Sequence, residues 1–509
     1  MHCLIVGATL FGKFGLEVTL SPNLKVLLVD LNAFASFPTL AIGLLTATLR
    51  RKGHVVDVLC PLDHGKPTAM RERQENLGDH LMRRFHLSGL APALPFRDGA
   101  RAVRSFWRGR PDHLTIKRIT EALKKKPDIV LLSAYLMHFE VVKEIASRAA
   151  QKNIPVLVGG PMFNIEATAK DWCALKGVTA FVGAEADLSI AEFVEATVAG
   201  EDLLGFPGVT LPDGGTSKPA VPLRPLDTTP FADFSDFPWE RYPVRIIPIM
   251  TGRGCQWAKC AFCSDVVSAN GLTYRSRSVG HVLSEMEEQG RRYATRNFLF
   301  LDLKLNSRPD MLRRIAEELP SRVPGAEWIG TVHVDTRADN GLSRKDLRVA
   351  VRGGMRRVSF GLETGSQRLL DAMKKGSTVE GNAEFIRNAH EAGLSLRCTM
   401  FAGYPGETEE DMSATAAFLE EHENRLDRVR FNAFSLLDST PIFKKMAEQS
   451  GADILTALKP NPRRARMEYR NPAIETKAYR HHKRRALAAV YRINKRPVRS
   501  SARQFDGLM

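Results

Sequence analysis

Cys255, Cys260 and Cys263 fall within nine residues of the segment TGRGCQWAKCAFCSD, in the pattern C-x4-C-x2-C. Three thiolates on one short loop can converge on a single inorganic centre. Structural zinc takes four protein ligands in a closed tetrahedron. No fourth cysteine or histidine lies nearby in the sequence to supply one, so a closed zinc knuckle fits poorly. Three cysteine ligands on a 4Fe–4S cluster leave one iron open to an external ligand. The other cysteines, Cys3, Cys60, Cys173 and Cys398, are scattered and read as small buried hydrophobes. An odd total of seven in a chain this long makes no disulfide scaffold.

The cysteine loop follows a short apolar run, Ile246–Met250, and that run opens a regular alternation of strand and helix patterns. Further strands are expected at Asn297–Leu303, Trp328–Val334, Arg357–Gly361, Ser395–Phe401 and Arg428–Phe434, each pair separated by helical sequence. Six such units can curve into a partial barrel whose active face is the carboxyl end of its strands.

The first 204 residues alternate in the same way. Apolar runs at Lys25–Val29, Val55–Leu59, Asp128–Ser133, Pro155–Val158 and Thr179–Val182 read as strands, with helices from about 40 to 52, 140 to 152 and beyond 188. Strands that end in glycine or small polar residues before a helix make a doubly wound parallel sheet, which binds ligands beyond its carboxyl ends. Ser133, Ala134, Tyr135, Gly159, Gly160 and Gly183 lie at such ends. An Arg-rich helical insertion at about 66–113 interrupts the pattern. Eight prolines between 207 and 243 mark residues 205–244 as an extended linker lying over the surface. The second array then runs from 245 to 446, and residues 447–509 form a basic extension.

The cysteine loop at the end of the first strand of a six-unit array resembles the radical S-adenosylmethionine superfamily. Its spacing is one residue longer than the family's usual C-x3-C-x2-C, but Phe262 before the last cysteine and the Gly252–Gly254 stretch are similar to it. The resemblance implies a 4Fe–4S cluster on Cys255, Cys260 and Cys263. It also implies S-adenosylmethionine contacts at Glu363, Gly403 and Gly406, and at Asp302 near the methionyl amine. The first half, through KVLLVDLN, LAIGLLTATLRRKGHVVDV, PDIVLLSAY, PVLVGGP and FVGAEAD, resembles the cobalamin-binding domain attached to many of these enzymes. Mutase-like cobalamin domains place D-x-H-x-x-G after the first strand. This chain has Asp30-Leu31-Asn32 there, and its LDHG at 62–65 follows the second strand. The corrin is therefore expected to bind without a histidine ligand, with Tyr135 or a neighbour facing cobalt.

The resemblance implies an enzyme that methylates an unactivated carbon of a natural-product or peptide-like substrate, using a 5′-deoxyadenosyl radical and methylcobalamin. An electron donor such as flavodoxin or ferredoxin is implied as partner. The alternative with the same cofactors is a rearrangement, cyclisation or ring contraction without methyl transfer. An alternative of another class is RNA binding or modification, raised by the charge distribution. Of the net +16, residues 459–509 supply 15 Lys/Arg against 3 Asp/Glu, and basic stretches bind phosphates by counterion release. No RNA-binding fold pattern accompanies them. The plainer reading is a solvated basic helix that packs back on the barrel or contacts a peptide substrate, with Tyr479, Leu487, Val490 and Ile493 as the apolar face such packing would use. The excess lies outside both cofactor domains, which predicts that cluster assembly does not need it.

Composition bounds the rest. At 509 residues the chain is long enough for roughly three domains, and 44% hydrophobic with 26% charged residues is an ordinary globular balance. No apolar run reaches the ~18 residues of a membrane span. The opening MHCLIVGATLFGKFG lacks a basic n-region and a cleavage site, so a cytoplasmic location is expected.

Overall fold

Two six-stranded sheets organise the chain. The computed structural model describes residues 23–33, 35–66, 72–88, 90, 94–109, 111–264, 274–448 and 456–508. Cys3 and the opening segment lie outside the described residues. The first sheet contains β1 (Lys25–Asp30), β2 (Val55–Leu59), β3 (Ile129–Ser133), β4 (Val156–Gly159), β5 (Ala180–Val182) and β6 (Val209–Thr210). Their order is β2-β1-β3-β4-β5-β6, parallel except for β6. Val29 pairs with Leu59 on one side and Leu132 on the other. β1 and β3 are buried along nearly their whole length, because helices cover both faces of a parallel sheet. The strand order reverses between β1 and β3, which makes their carboxyl ends the switch point where such sheets bind ligands.

The second sheet begins with β7 (Ile247–Ile249). A short antiparallel hairpin, β8 (Gly252–Arg253) with β9 (Arg275–Ser276), follows it. The sheet continues through β10 (Asn297–Phe300), β11 (Glu327–Val332), β12 (Met355–Glu363), β13 (Ser395–Ala402) and β14 (Arg428–Ala433). All pairs are parallel, in the order β14-β13-β12-β11-β10-β7. This is the expected six-unit array, and β7 and β14 are its two edges. Ile246, Leu299, Ile329 and Phe505 pack together as one buried cluster.

The proline-rich segment is packed differently from expectation. Leu226, Ala232, Phe234 and Phe237 are buried, so the linker lies between elements instead of over the surface. Arg50, at the end of the helix Leu40–Arg51, donates to Asp233 at 2.9 Å and Asp236 at 2.6 Å. On the other side Gln289 donates to the Ala232 carbonyl at 2.7 Å. The prolines remove helix and central strand as options, and the phenylalanines between them drive the segment inward.

The basic extension is corrected more fully. It is part of the main core, not an appendage. β15 (Leu436–Leu437), β16 (Thr456–Asn461) and β17 (Arg466–Arg470) form a small sheet. The helix Lys477–Asn494 buries Tyr479, Ala486, Leu487, Val490 and Ile493 in the same hydrophobic cluster as the barrel. Asn494 exchanges hydrogen bonds with the backbone of Val429, at 2.7 and 2.9 Å. Much of the charge is paired within the fold: Arg485 with Glu420, Arg492 with Glu423, and Arg463 with Asp171. The apolar face expected at Tyr479, Leu487, Val490 and Ile493 is the one that is buried, and what the structure corrects is the status of the extension as an appendage. The helix Leu77–His86 of the 66–113 insertion packs on this same extension, with His80 stacked on Tyr491 at 4.7 Å.

Candidate active site

The cysteine loop leaves β8 at the carboxyl end of the barrel. Asp302, just beyond β10, fixes its start. The buried carboxylate accepts from the Thr251 hydroxyl at 2.5 Å and from the amides of Thr251 and Gly252 at 3.0 Å each. Burial pushes its carboxyl up to about 6 against those hydrogen bonds. Asp302 is thus committed to the loop's own backbone, which leaves it less free for a ligand amine than the sequence reading supposed.

Cys255, Cys260 and Cys263 are part-exposed thiols that take no part in a disulfide. The Cys263 amide donates to the Cys260 carbonyl at 3.3 Å. The residues between the first two cysteines anchor the loop and account for its extra length. Ala258 takes a left-handed turn with φ +47°, the Gln256 side chain accepts from Arg337 at 2.6 Å, and the Trp257 indole donates to the Lys374 carbonyl at 2.8 Å. Among the described residues no three His, Cys, Asp or Glu side chains converge on one metal-ion position. Three thiols along one turn, with no fourth ligand beside them among the described residues, suit a polynuclear iron–sulfur cluster with one open iron.

Glu363 sits at the end of β12 with φ +62°, a backbone state that is uncommon for a non-glycine residue. Lys375 donates to it at 2.7 Å, and both are buried. A Cβ on Gly361 would overlap the Glu363 carboxylate and lie 2.7 Å from Lys375 Nζ, so glycine there makes room for the pair. Burial opposes the Lys375 ammonium, yet Glu363, Cys260 and Cys263 together hold its pKa above the ordinary value. A second buried pair lies one strand away, where Lys304 donates to Asp335 at 2.5 Å and Arg337 donates to the same carboxylate at 3.0 Å.

Gly403 and Gly406 both adopt left-handed conformations, φ +93° and +81°, the states glycine allows. They differ in access. The Gly403 carbonyl accepts from the Tyr469 hydroxyl at 2.6 Å, its amide donates to Glu407, and Ile474 lies over it. Space for a Cβ beside Gly406 is open, so of the two it could admit a ligand more closely. Phe262, Phe401, Tyr404 and Phe434 form an aromatic wall against the loop, with ring centres 5.0–6.3 Å apart.

At the first sheet's switch point, Ser133 ends β3, Ala134 follows it, and Tyr135 and Met137 beyond them are 39% and 61% exposed. That apolar, aromatic edge suits a large flat ligand. Gly160 and Gly183 serve closer packing. A Cβ on Gly160 would stand 2.6 Å from the Ala134 carbonyl, and one on Gly183 would overlap Asn164, while Gly159 has ordinary room. No sequence motif singles out His138, three residues beyond Tyr135. It is buried, its Nδ1 accepts the Tyr135 amide proton at 3.1 Å, and burial followed by Lys66 pushes it down to about 4. A neutral ring accepting at Nδ1 carries its proton on Nε2, so it offers no lone pair to cobalt. The site fits a corrin bound without a histidine ligand. His64, in LDHG, instead contacts Thr115 at 2.9 Å.

The two faces are joined. Arg253 and Arg275, paired across the β8–β9 hairpin, reach Asp187 and Glu185 in the FVGAEAD segment after β5. In the sequence the FVGAEAD segment marks a domain, and nothing local sets apart the arginine inside GRGC or Lys375 in MKKG.

Residues 249–419 match the Radical SAM superfamily. The chain is 29% identical over 325 residues to an uncharacterized methyltransferase of Pyrococcus horikoshii, covering 61% of this chain and 68% of that one. It is 25% identical over 363 residues to the anaerobic magnesium-protoporphyrin IX monomethyl ester cyclase of Cereibacter sphaeroides, covering 66% of this chain and 56% of the cyclase. Among solved structures it is similar to the radical S-adenosylmethionine methyltransferase TsrM from Kitasatospora setae, with cobalamin and a 4Fe–4S cluster bound. That likeness has a TM-score of 0.64 at 18% identity and covers 92% of this chain and 88% of TsrM. The cobalamin-dependent S-adenosylmethionine radical enzyme OxsB, with aqua-cobalamin bound, gives 0.65 at 16% identity, covering 87% of this chain and 64% of OxsB. At these identities the likeness is one of fold, and it runs through both sheets. No helix among the described residues is long and apolar enough to cross a membrane.

Proposed function

We propose that this chain, which carries a radical S-adenosylmethionine domain at residues 249–419, is a cobalamin-dependent methyltransferase acting on an unactivated carbon of a small-molecule or peptide-like substrate. The observation that supports this best is the Arg253–Asp187 junction, with 2.7 Å contacts. It ties the loop of the three cysteines to the strand ends of the first sheet, so two cofactor faces are held in one frame. Bound there, the cluster with S-adenosylmethionine supplies hydrogen abstraction and cobalamin supplies a methyl group.

The chain's own residues bind, orient and exclude water. Cys255, Cys260 and Cys263 would hold the cluster. Glu363, with its carboxylate fixed by Lys375, and the open backbone at Gly406 would receive S-adenosylmethionine. Asp302 holds the loop's first turn, and the wall of Phe262, Phe401, Tyr404 and Phe434 keeps water from the cluster side. Tyr135 and Met137 would lie under the corrin. A flavodoxin or ferredoxin would deliver electrons in the cytoplasm.

Anaerobic reconstitution with iron, sulfide and hydroxocobalamin tests the reading. The protein should retain all three and, given S-adenosylmethionine with a deuterated methyl group, should carry that label to cobalamin and release 5′-deoxyadenosine. Protein that returns without cobalt would remove the methyl-transfer mechanism. A product that gains one CH2 separates methylation from rearrangement, which gains none.

A further inference from the structure

Four consecutive residues, Met373–Gly376, form the bed of the cysteine loop, and each makes its own contact with it. The Met373 carbonyl accepts from the Ala261 amide at 2.9 Å. The Lys374 carbonyl accepts from the Trp257 indole at 2.8 Å. At Gly376, where φ is +70°, any Cβ would overlap the Trp257 ring. Lys375 Nζ lies 5.7 Å from the centre of the Phe262 ring, between the two cysteines that flank Ala261 and Phe262. The residues lengthening the loop therefore anchor it to the segment that carries Lys375.

Lys375 is 8% exposed. A buried ammonium must be compensated, and Glu363 at 2.7 Å supplies part of that. The same ammonium faces the Cys260–Cys263 turn from a position that the surrounding hydrogen bonds fix. Reduction adds negative charge to an iron–sulfur cluster, so a fixed cation beside it favours the reduced state, and hydrogen bonds and charges of this kind set cluster potentials. Because the pair is buried, salt screens it little.

We propose that Lys375 is a positioning residue whose fixed positive charge, seated against the Cys260–Cys263 turn, raises the reduction potential of the cluster held there. The inference rests on reading the three cysteines as a cluster site.

The test uses the full-length, anaerobically reconstituted protein with Lys375→Met, Lys375→Gln and Lys375→Arg. Bound iron and sulfide are measured, then the midpoint potential by EPR-monitored titration without S-adenosylmethionine, at one fixed pH for all variants. The two neutral variants should retain the cluster with midpoints clearly more negative than wild type, and Lys375→Arg should stay near wild type. Full iron with unchanged midpoints in both neutral variants overturns the inference. If both lose iron while Lys375→Arg keeps it, the charge serves cluster retention instead of its potential, which overturns the inference as stated. Loss from all three marks a packing role and overturns it. Wild-type protein that binds no iron sinks the cluster reading itself, and this inference with it.

Discussion

Arg253 and Asp187 form a two-pronged ion pair, with Nη1 to Oδ2 and Nη2 to Oδ1 each at 2.7 Å. Arg253 stands two residues before Cys255, and Asp187 lies beyond β5 of the other sheet. The Asp187 carbonyl in turn accepts from Thr48 at 2.5 Å, which ties it to the helix after β1. The fork geometry fixes direction as well as distance. The junction therefore sets where the cysteine loop sits relative to the first sheet.

Replacing Asp187 with Asn removes one partner of this largely buried pair and leaves the Arg253 charge to Glu185 alone, 3.4 Å away. A loss of about 3 kcal/mol is expected, read as a lower thermal midpoint. Iron content should persist, because Asp302 and the 373–376 bed hold the loop independently. Methyl transfer should fall more than 5′-deoxyadenosine release. Equal losses in both would mean that the pair serves stability alone.

Substitution of Cys255, Cys260 or Cys263 by alanine should each abolish the reconstituted cluster, measured as iron and sulfide per chain. Cys398→Ala should leave both unchanged. Cys398 is buried within β13, and burial pushes its thiol well above the usual range, so it offers no thiolate. A triple variant that still held a full cluster would show the ligands to lie elsewhere.

Glu407 gives stability a pH dependence. Burial pushes its carboxyl up from 4.5 to about 7, against hydrogen bonds from Gly403 and Tyr479, with Asp411 adding to the rise. Tyr479 donates to it at 3.0 Å, and Lys483 and Tyr469 complete its charged and titratable surroundings. Because the folded state holds this proton more tightly than the unfolded state, the contribution is full below about pH 4.5 and is lost as pH rises toward 7. Between those limits up to about 3 kcal/mol disappears. Urea midpoints should fall over that window in wild type and flatten in Glu407→Gln. Tyr479→Phe should cost about 1–2 kcal/mol.

Central parallel strands are runs of apolar residues, so KVLLV and IVLLS declare themselves, and the cysteine spacing declares the loop. What stays hidden is pairing across distance. Arg253 meets Asp187 over 66 positions and Tyr479 meets Glu407 over 72, and no local pattern encodes either. The strand-end glycines mislead for a related reason. Gly160 and Gly183 look like room for a ligand, but the turns beside them fill that room with Ala134 and Asn164. Charge misleads too, since summing the lysines and arginines after 458 suggests an appendage, although an apolar stripe that they flank is legible beside them.

That stripe decides what truncation does. Tyr479, Leu487, Val490 and Ile493 are each nearly or fully buried, and burying side chains of this size is worth about 1.5–3 kcal/mol apiece. Removing residues after Asn461 strips them from the helix Glu409–His422 and from β14, and exposes Leu419, Val429 and their neighbours in the same cluster. It also removes Tyr469 and Tyr479, which hold the Gly403–Glu407 turn, and Phe505, which packs against Ile246, Leu299 and Ile329. The truncated chain should be insoluble or lose cooperative unfolding, with cluster assembly lost alongside. By contrast, Arg485→Ala and Arg492→Ala should each cost under about 1 kcal/mol, because their pairs with Glu420 and Glu423 are 38% and 42% exposed on the arginine side. Sedimentation and thermal melts at low and high salt check this. Salt should move the melting of the arginine variants and the wild type little. A soluble, cooperatively melting truncation with its cluster intact would return the extension to the status of an appendage.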